Sequence, residues 1–123
     1  MKRSERGSAS IWVVACCALL LAVAVASAVR TTAVVVRHRA ESTADLAALA
    51  AAGQIGVGQG ICPAAARIAV ANGATLLRCE PSVAPGARSG TVRVWVSLRV
   101  RLPVVGSRGV VASARAGREP VGP

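Results

Sequence analysis

Positions 11–29 form an unbroken apolar run, IWVVACCALLLAVAVASAV, without a charge, a proline or a glycine. At about 1.5 Å per helical residue the run extends roughly 28 Å, the thickness of a bilayer's hydrocarbon core. The helical pattern does not stop there. From about Ser8 to Ala52 no breaker intervenes, and Gly53 is the first. Residues 53–62 then read as a Gly-rich loop. Pro63 suits the first position of a short helix continuing through Ala64–Ala71, with Asn72-Gly73 as its stop. Thr75–Cys79 reads as a strand, and a Pro/Gly/Ser loop over 81–90 follows. The clearest strand is Thr91–Leu102. Val92, Val94, Val96, Leu98, Val100 and Leu102 alternate strictly with Thr91, Arg93, Trp95, Ser97, Arg99 and Arg101, so the aliphatics share one face. Pro103 ends this strand, and Gly109–Ala116 is a weaker third one.

The expected organisation is a basic leader over 1–10, a membrane-spanning helix over 11–29 and its extension outside the membrane over 30–52. The loop over 53–62 then leads into a small exported α+β domain over 63–116, with a flexible tail over 117–123. The fold class is α+β: a long N-terminal membrane-spanning helix, a short second helix and a three-stranded antiparallel meander.

Composition narrows the chemistry. Tyr and Phe are absent and there are two Trp, so the core of the domain must come from Val, Leu, Ile and Ala. The formal charge is +10; from Arg37 onward, eleven Arg face Glu41, Asp45, Glu80 and Glu119, a net +7. Such an excess suits a nucleic acid, an anionic surface or an acidic partner, or simply keeps a small domain soluble. Nucleic acid is the poor match, because the Arg are scattered singly and no stacking aromatics lie among them. One His and scattered acids form no general acid–base pair, and the Ser residues have no partner motif. Gly56, Gly58 and Gly60 lack both the preceding strand and the spacing of a dinucleotide fingerprint. No enzyme, cofactor, metal or small-molecule substrate is expected.

Four cysteines fall into two pairs. Cys16 and Cys17 lie inside the apolar run, where a thiol acts as a small hydrophobe. Cys62 and Cys79 lie downstream, and outside the cytoplasm a disulfide between them is the natural expectation; two buried free thiols are the alternative. Val13–Cys16 loosely resembles a lipoprotein cleavage site, but the apolar stretch before Cys16 is too short for a signal core.

Two readings compete for the N-terminus. Lys2, Arg3 and Arg6 precede the apolar core, and Ala26-Ser27-Ala28 fits a signal-peptidase site. Cleavage after Ala28 releases a secreted, basic, disulfide-bonded protein beginning at Val29. The other reading retains the run as an anchor, since a signal peptide has no reason to be followed by a helix continuing in phase. Arg30 snorkels to the interface on that account. The N-terminus stays in the cytoplasm and the domain lies outside, in the cell membrane. Beyond Arg39, small residues recur at Ala40, Ala44, Ala47, Ala48 and Ala51. This spacing lets another helix approach closely, either in an assembly or on the protein's own domain. Asp45 is expected in solvent; buried, it would need Arg39 or Arg67.

Arg6-Gly7-Ser8-Ala9-Ser10, the apolar run and then RHRAESTADLAALA over 37–50 resemble the TadE/TadG-like family, associated with Flp (tight-adherence) pilus assembly. More closely they resemble its short actinobacterial branch found beside secretion-system components. The resemblance covers about Arg6–Gly53. It implies a pilin-like, non-enzymatic, single-pass membrane component or accessory of a Flp-type pilus or secretion apparatus, whose partners are other components of that apparatus. Pilin-like members are cut after a Gly, here between Gly7 and Ser8, and carry Glu at the fifth mature position. That position holds Trp12, whose amphipathic ring suits a membrane–water boundary. Trp95, with Arg93 and Arg99 on the basic face of the strand, is a candidate interface anchor, or else lies under the long helix.

Overall fold

With no proline between Ser8 and Ala52, one 49-residue helix forms, α1 (Glu5–Gly53). After it come α2 (Ile61–Ala71), β1 (Ala74–Ser82), β2 (Gly90–Leu102) and β3 (Gly106–Arg118). This computed structural model describes residues 5–58, 60–102 and 106–122. The architecture is α+β, and the three strands form one antiparallel sheet in the order β1-β2-β3. The chain divides into two compact units, Met1–Val35 and Val36–Pro123.

In the first unit the α1 residues from Gly7 onward are exposed, including Trp12 at 71% and Leu20 at 69%. Apolar side chains lie on every side, the pattern of a helix whose surroundings are themselves apolar. The hydroxyls toward the end of this stretch need no water. Ser27, Thr31 and Thr32 donate to the carbonyls four residues back, at Val23 (2.8 Å), Ser27 (2.9 Å) and Ala28 (2.9 Å).

In the second unit the same helix changes character. Ala40, Ala44, Ala47 and Ala51 are 0% exposed and Ala48 1%. They share one core with Val92, Val94 and Val96 of β2, Ala65 and Ala69 of α2, and Ala112 of β3. Alanine methyls and valines together supply this core, which closes without Phe or Tyr. Thr43, the one buried polar residue among those described, is satisfied by donating to the Arg39 carbonyl at 2.8 Å. Asp45 is exposed.

Several boundaries differ from the pattern-based ones, each for a local reason. Helix α2 starts at Ile61, so Pro63 is its third residue, still within the first turn where an N–H has no helical partner to lose. Asn72 caps its end and Gly73 takes φ +73°. Strand β1 continues to Ser82 through Pro81, which an edge strand accommodates. Strand β3 runs from Gly106 to Arg118 rather than over 109–116. Gly117 and Arg118, expected in the tail, pair with Thr91 and Gly90 because β2 offers its full 13-residue length as a template. Strand β2 reaches Leu102; the expected stop at Pro103 falls outside the described residues, as do Lys2 and Arg3 of the leader.

Two ties close the domain. A disulfide joins Cys62 of α2 to Cys79 of β1, with a Cα–Cα distance of 5.9 Å. The Arg118 guanidinium donates to the Ile55 carbonyl at 2.8 Å, holding the end of β3 to the α1–α2 loop. Beside it Gly56 has φ +76°, and a Cβ there would lie 2.9 Å from the Arg88 Cα, so this close approach requires glycine.

Candidate functional site

The alternation in β2 divides the sheet into two unlike faces. Val92, Val94 and Val96 are fully buried, while Arg93 and Arg99 on the opposite face are exposed and Trp95 is half-buried. Register with the neighbouring strands completes the open face. Arg78 of β1 lies opposite Trp95 and Glu80 opposite Arg93, while Arg115 of β3 lies opposite Arg93 on the other side.

One irregularity decides which β1 residues take part. Between Leu76 and Arg78 the register shifts by a residue, so Leu77 is the extra residue of a β-bulge. Without that shift Arg78 would fall opposite Val94, on the covered face. With it, Arg78 and Glu80 join the open face and Cys79 turns to the covered one, where α2 brings Cys62. The bulge thus sets both the charged face and the disulfide.

On this face Trp95 lies between two guanidiniums. Arg78 sits over the indole at 5.0 Å from its centroid and Arg93 at 5.8 Å, distances at which cation–π attraction is worth about 0.5–1 kcal/mol at an exposed site. Arg78 also ion-pairs with Glu80. The Arg115 guanidinium donates to the Thr91 hydroxyl at 3.3 Å. Arg93, Arg115, Thr91, Ser82 and Glu80 line a cleft of about 230 Å³.

Of the residues singled out from the pattern, Trp95 and Arg93 come together. Arg99 stays apart, four residues along β2 and so about 13 Å away. Trp95 lies on the face away from the buried valines, not under α1. Arg78 and Arg115 were not anticipated. Only the two consecutive leucines before Arg78, a break in alternation, hinted at the first; the second depends on strand register, which no local pattern reveals.

The small-residue stripe Ala40, Ala44, Ala47, Ala48 and Ala51 is spent within the protein's own domain. The helix side away from it carries Leu46 and Leu49, both exposed. Gly7 and Ser8 lie in the opening turns of α1, and Ala28 and Val29 in its middle, all exposed. Cys16 and Cys17 are free thiols on its exposed surface. Among the described residues no three His, Cys, Asp or Glu side chains cluster to hold a metal ion.

A membrane-length apolar helix that continues into an alanine-rich stretch packed on a small disulfide-bonded sheet defines the class of protein. Residues 7–54 match the Tad family model, described as Flp pilus-assembly TadE/G-like. That segment, well under half of the chain, is similar to a family of Flp pilus-assembly proteins. The matched segment ends at Gln54, before α2 and the sheet. No curated protein and no solved structure matches the chain.

Proposed function

We propose that this chain is a single-pass membrane protein and a non-enzymatic TadE-like component or accessory of a Flp-type pilus or secretion apparatus. The residues over 11–29 span the membrane, with the basic leader (1–10) in the cytoplasm and the domain over 63–116 outside. The observation that carries this reading is the apolar surface of α1 from Ile11 to Val29, wholly unburied and contained in the TadE/G-like segment. Such a surface is stable in lipid and unfavourable in water, at roughly 25 cal/mol per Å² of apolar area. The Cys62–Cys79 disulfide supports an oxidising, extracytoplasmic location for the domain. Among its surfaces, the open face of the sheet is the one that meets other components of the apparatus. Helix–helix contacts with such components use the side of α1 bearing Leu46 and Leu49, because the alanine stripe is already occupied.

Carbonate extraction followed by N-terminal sequencing of the mature protein tests this. The expected result is a membrane-bound chain starting at Met1, or at Ser8 if a prepilin-type peptidase acts after Gly7. A soluble chain starting at Val29 would replace the anchor with a secreted basic protein, the reading that Ala26-Ser27-Ala28 favours.

A further inference from the structure

We infer that the cleft between Arg93 and Arg115 binds carboxylate side chains presented by an acidic segment of a protein partner. This rests on the domain's being the partner-facing part of the chain, as proposed above, and adds the chemistry of what it meets.

The argument begins with an imbalance. Arg93 and Arg115 are directly opposite each other on adjacent strands, an arrangement that destabilises a sheet when no counter-charge is present. The one carboxylate that the register places on this face, Glu80, is ion-paired with Arg78. Three guanidiniums therefore share a single acid. The cleft, about 230 Å³, is lined by the Arg93 and Arg115 guanidiniums and by the hydroxyls of Thr91 and Ser82, with the Glu80 carboxylate on its β1 side taken up by Arg78.

Both guanidiniums are already oriented. Arg93 lies over the Trp95 ring and Arg115 is held by Thr91. Fixing them before binding removes part of the ordering cost that flexible arginines would otherwise incur. Planar guanidiniums match carboxylates two bonds at a time, which a lysine ammonium cannot do.

The charge pattern also selects the occupant. A second copy of the chain is a poor one, because its domain carries the same net +7 from Arg37 onward. A bilayer surface is also disfavoured. Trp95 is half-buried between guanidiniums instead of projecting as an interfacial anchor does. Oriented donors around a small cleft are suited to individual carboxylates on a protein, and a diffuse anionic surface has no use for that geometry.

The test uses the full chain in neutral detergent micelles and a fluorescein-labelled octapeptide of alternating Glu and Gly, with binding read by fluorescence anisotropy. The double variant Arg93→Lys, Arg115→Lys preserves net charge, and should weaken binding at least tenfold. Arg67→Gln with Arg108→Gln lowers net charge by two away from this face, and should change binding less than twofold. Circular dichroism confirms that both variants fold. Equal weakening by the two pairs, or no peptide binding at all, overturns the inference. So does binding to vesicles of phosphatidylcholine and phosphatidylglycerol that requires Arg93 and Arg115 when peptide binding does not. Failure of the membrane reading shows separately, as extraction by carbonate with peptide binding intact.

Discussion

Helix α1 is one element with two regimes. From Ile11 to Val29 it carries Leu, Val and Ile, and none of them is buried; from Ala40 to Ala52 its buried side chains are, apart from Thr43, alanine methyl groups. Bulk and burial run opposite to the usual expectation for a protein in water. The contrast teaches that side-chain size records which neighbour each stretch meets. Large aliphatics suit fluid lipid, which conforms to any shape, whereas alanine suits the fixed surface of the protein's own core.

That contrast can be broken most strongly in the apolar region. Leu20→Arg with Val23→Arg should cost about 6 kcal/mol of membrane insertion. Carbonate extraction should then release the protein, while the thermal melt of the domain stays unchanged. The second region is more sensitive to its covalent tie. Replacing Cys62 and Cys79 together with Ala should lower the domain's unfolding free energy by about 3 kcal/mol, as expected for a loop of this length; urea denaturation measures it. A finer contrast compares the two sides of one helical turn. Ala47→Leu forces bulk into the fully packed side and should cost about 2 kcal/mol, whereas Leu49→Ala on the exposed side should cost less than about 0.5 kcal/mol. Equal effects would mean that the alanine stripe is not the packed side.

Much of this molecule was legible beforehand because its signals are local. An apolar run needs only composition, the length of α1 needs only the lack of a breaker, and the two faces of β2 need only strict alternation. The ends of β1 and β3 were less legible. Glycine-rich and proline-containing stretches such as GSRGVV over 106–111 and EPS over 80–82 have weak strand preference, and they extend because β2 is there to pair with. The destination of the alanine stripe was ambiguous for a different reason. Small residues every three or four positions suit any close neighbour, and only the assembled core shows that the neighbour is the chain's own sheet.

By itself, the order of residues determined an apolar helix of membrane length, an α+β domain built without Phe or Tyr, a strand with one aliphatic and one basic face, and the TadE/G-like character of residues 7–54. Tertiary structure alone decided that Arg78 and Arg115 flank the Trp95–Arg93 pair, and it supplied the turn of Cys79 to the covered face that the expected Cys62–Cys79 disulfide needs. Both outcomes hang on strand register, including the single extra residue at Leu77. Register arises from the sum of many weak contacts between distant segments, and a shift of one residue exchanges the two faces of a strand.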